Sequence, residues 1–224
     1  MIFLDVIHPI QFGFYHISTA ADRTWLINSL CSNEARYHAA LSVSTCFVAG
    51  PREPQKTDGI GLDLEVRRRQ AVALRGLQTI IRHFEAQGCV AKDLVRTGMQ
   101  ILEVMHQLLS LEIFSMMDGA WETHHRAMGR LLSTLDTHEA SKSYDDVSRH
   151  PSPLETALTD FSSPDTLRTL EFHVTCFVWV DIIANAIYGS PAIASRHFDY
   201  IPLLRANGLK TQNIMGFLIW FKEQ

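Results

Sequence analysis

The sequence predicts an all-α fold, a single irregular multi-helix domain over residues 1–224 with a long polar loop near 138–163. Three observations predict it. Apolar residues recur at helical spacing over segments longer than strands usually run, as in Lys92 to Met117 and Trp121 to Thr137. Helix-breaking punctuation separates those segments, at Gly50 to Gly61, at Asp118-Gly119 and at Ser163-Pro164-Asp165. The stretch Phe172 to Ser190, FHVTCFVWVDIIANAIYGS, is apolar enough that other helices must surround it.

The bulk numbers narrow the class. A chain of 224 residues can bury a large core without staples. A composition of 46% hydrophobic and 20% charged residues excludes a disordered or collagen-like chain. The net charge of −4 lacks the basic excess of a free-standing nucleic-acid-binding module. Cys31, Cys46, Cys89 and Cys176 are scattered with no Cys-x-x-Cys pair, which excludes a zinc ribbon or redox motif. Each is expected to be a small buried hydrophobe, reduced and intracellular. The start MIFLDVIHPIQF carries Asp5 and no basic region, unlike a signal peptide. Val174 to Ala184 is shorter than the ~20 apolar residues a bilayer needs, and His173, Asp181 and Asn185 interrupt it. A soluble protein without a membrane span is expected.

In chain order, Pro9 and Gly13 predict a short helical turn followed by an extended arm over Met1 to Ser18. Asp22 to Cys31 reads as a short helix with Trp25, Leu26 and Leu30 on one side. Ser32 or Asn33 then offers an N-cap for a helix from Glu34 to Ala49. Tyr37, Leu41, Ser44 and Val48 form its expected stripe, and Ala39, Ala40, Ser42 and Ser44 would let another helix approach closely. After the loop Gly50 to Gly61, Leu62 to Gln87 is a long helix with packing residues Leu74, Leu77, Ile81 and Phe84. Its run Arg67-Arg68-Arg69 fans around the helix, as a solvated face does. Gly88 stands at its C′ position.

Lys92 to Met117 covers more than one face with Leu94, Ile101, Leu102, Met105, Leu108, Leu109, Ile113 and Met116, and should be central. Trp121 to Thr137 follows as an amphipathic helix with Trp121, His125, Met128, Leu132 and Leu135 in register, giving an antiparallel hairpin. Residues 138–163 are rich in Ser, Asp and Pro and form the surface loop, with one short helix at Leu154 to Phe161. Ser163-Pro164-Asp165 starts the apolar helix, which stops at Gly189-Ser190-Pro191. Phe198 to Leu204 and Ile214 to Phe221 are further short helical pieces. The run IMGFLIWF close to the last residue suggests a C-terminal truncation and a surface for self-association.

No catalytic, cofactor-binding or metal residue is nominated, and no cofactor is expected. His124 and His125 point about 100° apart on a helix and cannot chelate one metal from one face. Glu122 and His125 could share a face, but no second Glu-x-x-His completes a site, so a half-buried His125 is expected. No nucleophile elbow, phosphate loop, zincin motif or dinucleotide fingerprint occurs. Asp181 is different: a carboxylate inside a core must be paired. It either bonds a backbone amide, an Arg or a Tyr hydroxyl of a neighbouring helix, or anchors a ligand pocket near Trp179 or Tyr188. The first reading is favoured.

Four stretches in order carry a resemblance. FLDVIHPIQFGFY and WLINSLCSNEARYHAALSVS are similar to the start of the fungal-specific transcription factor regulatory domain, with Leu4, Asp5, Pro9, Gln11, Phe12, Phe14, Tyr15, Trp25, Leu26, Tyr37, His38, Ala39, Ala40, Leu41 and Ser42 matching its pattern. LLSLEIFSMMDGAWETHHRAM and FVWVDIIANAIYGSP resemble its later segments. The resemblance implies a helical regulatory domain of the kind found C-terminal to a six-cysteine, two-zinc DNA-binding cluster. The chain carries no such cluster, so direct DNA binding is not expected of it. What the resemblance implies instead is a nuclear regulator of metabolic genes, of a secondary-metabolite pathway among them. It would act through other transcription factors, the transcription machinery or a small-molecule effector, and homo-oligomers are open to it. A small accessory enzyme of a metabolic pathway, or a non-functional fragment of a regulator, are the alternatives.

Overall fold

The structure, a computed structural model, describes residues 2–11, 19–49, 58–86, 91–115, 120–137, 154, 164–188, 198–205 and 209. Among them the regular structure is helical throughout, with no strand, as the sequence predicts. A π-helical turn, Phe3–Ile7, runs into α1, His8–Gln11. Pro9 therefore does not break the helix. The His8 N–H bonds the carbonyl of Phe3, and this wide turn carries the chain up to the proline ring. The extended arm lies outside the described residues.

Helix α2, Ala20–Cys31, begins ahead of Asp22 because of a capping box. Thr19 Oγ1 accepts the Asp22 N–H at 3.1 Å, and the Asp22 carboxylate accepts the Thr19 N–H at 3.0 Å. Trp25, Leu26 and Leu30 are buried as expected, whereas Cys31 is exposed and Cys46 only partly buried, and only Cys176 has the enclosed position expected of each. Cys89 is outside the described residues. Helix α3, Glu34–Ala49, takes Asn33 as its cap, whose Oδ1 accepts the Arg36 N–H at 3.2 Å.

The buried face of α3 is not the predicted one. Tyr37 and Val48 are 42% and 58% exposed, and the face turned inward carries Ala35, Arg36, Ala39, Ala40, Ser42 and Val43. Small residues won because close approach to α4, Asp58–Ala86, buries more of both helices than a stripe of large ones would. An added Cβ at Gly76 would stand 2.6 Å from the Ala35 Cβ. Helix α4 also begins before Leu62, so residues 58–61 of the predicted loop are helical, and 50–57 lie outside the described residues. Ala73 and Leu77 are its buried residues, with Ile80, Ile81 and Phe84 packed beside them. Leu74 is on the exposed side.

Helix α5, Ala91–Ser115, is the central element. Every residue from 101 to 112 is buried, so this stretch has no solvent face at all. Ile113, expected inside, is 51% exposed. Helix α6, Ala120–Thr137, packs along α5 with His125, Met128, Leu132 and Leu135 buried. Leu135, near the end of α6, meets Gly98, near the start of α5, which makes the pair antiparallel. Helix α7, Pro164–Tyr188, starts on its proline, and every residue from 172 to 178 is buried. Helix α8, Ile201–Arg205, is shorter than predicted. Asp199 Oδ1 accepts the Ile201 N–H at 3.1 Å, and Pro202 sits in the first turn, so 198–200 lead in without helix.

The described residues form two apolar clusters. The larger joins α4 to α8 through Leu77, Leu102, Leu108, Met128, Phe177 and Leu203. The smaller joins the N-terminal turn, α2, α3 and α7 through Ile7, Trp25, Leu26, Val43 and Phe172. Leu154, the described position in the predicted polar loop, is fully buried in the larger cluster; the rest of that loop, Gly88, Asp118-Gly119, Met116 and the 214–221 piece lie outside the described residues. By length and composition α7 is long enough to cross a membrane, which the shorter stretch read in the sequence is not. Of its apolar 18-residue window 56% is buried within the fold.

The two helical glycines give opposite expectations for the same change. Gly→Ala in a helix interior ordinarily stabilises by ~1 kcal/mol. At Gly76 the new Cβ meets a Cβ fixed on another backbone, so Gly76→Ala should lower stability by ~1–3 kcal/mol. At Gly98 it meets the tip of Leu135, at 2.9 Å, which can rotate away, so Gly98→Ala should be near neutral. Urea midpoints of the two variants check this; equal effects would overturn the close α3–α4 contact.

Candidate functional site

Asp181 is fully enclosed on α7. Its Oδ2 accepts the Tyr200 hydroxyl at 2.9 Å, and its Oδ1 lies 3.2 Å from His125 Nε2 on α6. A carboxylate offers lone pairs, so the imidazole donates from Nε2. The ring itself stacks on Phe177 with centroids 4.7 Å apart. Burial, then the charge of Asp181, pushes the Tyr200 hydroxyl far up, so it stays protonated and keeps donating. Of the three partners the favoured sequence reading offered, a Tyr hydroxyl is present, from a residue just ahead of α8 rather than within a helix. His125 is a second partner that the sequence did not suggest, and it is fully buried rather than half-buried. Asp181 ties α6, α7 and the lead-in to α8 together.

A second buried polar centre joins α2, α3 and α5. Arg36 Nη1 lies 2.7 Å from Glu103 Oε1, with side chains only 1% and 6% exposed. Ser29 Oγ donates to the same carboxylate at 3.1 Å and also accepts from Arg36. Burial pushes the Glu103 carboxyl up and the Arg36 guanidinium down, and in each case outweighs the attraction of the partner. His8, His106 and His173 are buried nearby; His106 and His173 meet edge to face at 5.4 Å, and His8 stacks on Phe172 at 6.0 Å. Burial, followed by the Arg36 charge, holds His8 and His106 down at about 3 and His173 well below its ordinary value. Three rings beside one guanidinium therefore stay neutral.

Between α5 and α7, with α1 at one end, runs a groove of about 300 Å³. Leu109, Phe114, Trp179 and Val180 form walls, Gln11, His106, Ser110 and Cys176 add polar atoms, and Ile10, Ile113 and Ile183 stand at the lining's more exposed positions. A second, more polar hollow of about 270 Å³ lies between α2, α5 and the first turn of α7, and includes Arg96, Glu103, Asp165 and Thr169. The described residues contain no group of three His, Cys, Asp or Glu side chains positioned for a metal ion. On α4, Arg67 and Arg68 face water as expected, whereas Arg69 is only 25% exposed; Arg67 pairs with Asp63 at 2.9 Å, and Arg68 and Arg69 pair with Glu65 at 3.0 and 2.7 Å.

Arg36, Glu103, His106 and His173 were not singled out as site residues from the sequence. The signal was the face of α3: Arg36 shares it with Ala40 and Val43, at i, i+4 and i+7. A charged residue on a stripe of small buried residues needs a partner across the interface.

The fungal specific transcription factor domain family matches residues 1–217 of the chain. Among curated proteins, transcription factor dibT of Pestalotiopsis microspora is 28% identical, over 90% of this chain and 34% of its own length. Pestheic acid cluster transcriptional regulator 3 of Pestalotiopsis fici is 27% identical, over 100% of this chain and 40% of its own. Trichothecene biosynthesis transcription regulator TRI10 of Trichoderma arundinaceum is 27% identical, over 60% and 32%. The chain thus spans between 32% and 40% of the length of these relatives. No solved structure matches it.

Two expectations follow from the buried polar groups. Asp181→Ala orphans the Tyr200 hydroxyl and the His125 N–H, which should cost ~3 kcal/mol, or roughly 6–12 °C in melting temperature. Tyr200→Phe should cost about half as much; a wild-type melt for Asp181→Ala would refute the pairing. The histidines set a pH dependence. Their folded pKa lies below the unfolded value of about 6.5, so the stability of the neutral forms is complete above about pH 6.5. It is lost as pH falls from there toward about 3, by ~1.4 kcal/mol per pH unit for each ring. His173→Leu, which removes no hydrogen bond among the described residues, should make melting temperature fall less steeply below about pH 6.5. An unchanged slope would show that His173 takes up no proton on unfolding.

Proposed function

The chain belongs to the fungal-specific transcription factor domain family, and from that premise we propose that it is the regulatory part of a nuclear transcriptional regulator of fungal metabolic genes. The match over residues 1–217 carries the reading. Two of the relatives are named for a pestheic acid cluster and for trichothecene biosynthesis, which supports genes of a secondary-metabolite pathway as targets. The same reading takes residues 1–224 as one regulatory domain and gives it no enzymatic role.

Its route of action is through protein partners, other transcription factors or the transcription machinery, or through a small-molecule effector. Direct DNA contact by these residues is not expected. The net charge is −4, and Arg67, Arg68 and Arg69 are already paired with Asp63 and Glu65 on their own helix. Exposed Val48, Leu64 and Ile187 supply apolar contact points for a partner or a second copy.

Deleting the reading frame in its host, followed by transcript profiling, tests this. Transcripts of one group of clustered biosynthetic genes should fall by about tenfold or more, and a fluorescent fusion should collect in the nucleus. Unchanged transcripts throughout would overturn the regulatory role.

A further inference from the structure

The groove between α5 and α7 has a property that the proposed role does not require. Gln11 lines it, and the amide nitrogen and oxygen of that residue are both shielded from solvent with no hydrogen-bond partner among the described residues. Each unmade bond of a shielded polar atom costs ~1–3 kcal/mol. Around the same groove Ile10, Ile113 and Ile183 are left 52%, 51% and 37% exposed. Ser110 Oγ donates its proton to the carbonyl of His106 at 2.9 Å and so has only lone pairs to offer.

We propose that this groove binds a small, uncharged, largely apolar molecule carrying an amide-like donor and acceptor side by side. The apolar walls take the body of the ligand, and the Gln11 side chain, whose amide atoms are otherwise shielded, turns toward the groove to meet its polar end with both of them. Among the described residues the lining contains no Asp, Glu, Lys or Arg. Its titratable groups, His106 and Cys176, are both held uncharged by burial. A charged ligand would lose its hydration there with nothing to replace it. The size, about 300 Å³, is at the small end of ligand pockets, ~300–1,000 Å³. As an effector site this deepens the regulatory reading and rests on it; as a binding site it stands alone.

Isothermal titration of the full chain with 1-naphthamide and with its anionic counterpart 1-naphthoate tests the proposal. Naphthamide should bind saturably at millimolar concentration or below, and naphthoate about tenfold more weakly or not at all. Gln11→Leu keeps the bulk and removes the amide, and should weaken naphthamide by about tenfold. Ile183→Trp, at an exposed position, should obstruct the groove and abolish binding, with circular dichroism confirming that both variants fold. Absence of saturable heat with naphthamide, equal affinity for the anion, or unaltered binding by both variants would overturn the proposal. Such a failure leaves the deletion experiment untouched, since that reads transcripts without a probe. Naphthamide binding alongside unchanged transcripts keeps the groove and removes the regulatory role.

Discussion

The rest of the structure is arranged around one buried ion pair, Arg36 with Glu103. Desolvation outweighs attraction for both groups, so the pair is no net source of stability in the way an equal volume of leucine would be. It is a condition the fold has to meet. Removing one partner leaves a naked charge in the core, and a misplaced helix does the same. The contact therefore fixes α3 against α5, with Ser29 of α2 on the same carboxylate. The nearby rings obey it too. Burial first, and then the guanidinium, keep His8, His106 and His173 uncharged where they pack around Phe172.

Asp181 meets a similar demand by other means. It is held by a phenol and an imidazole. One centre seats α3 on α5, and the other seats α6 and the α8 segment on α7. Apolar burial supplies the driving force for collapse, and these polar contacts select one arrangement of the helices.

Much of this was legible in the sequence, for physical reasons. Helix class and the α5–α6 hairpin followed from apolar spacing, and Pro164 and Asn33 marked helix starts because capping is local chemistry. What failed depended on the partner helix. Tyr37 and Val48 looked like the inner face of α3 because large apolar residues usually are. Gly76 on α4, forty-one positions beyond Ala35, is what turned the small-residue face inward instead. The buried charge on α3 and the groove are properties of assembled helices, and no local pattern announces them. A Tyr hydroxyl was one of three partner classes anticipated for Asp181, without the position, and the imidazole of His125 was not among them.

The enclosure of α5 has a mechanical consequence. A helix with one wet face can shift by sliding its side chains against water. Residues 101–112 have no such freedom, since α3, α4, α6 and α7 all bear on α5. Close-packed interiors pass displacement on rather than absorbing it. A shaft held on every side moves with all of its bearings or not at all. Anything wedged between α5 and α7 would thus be felt on the far surface of α3 and α4, without a dedicated wire of residues between them.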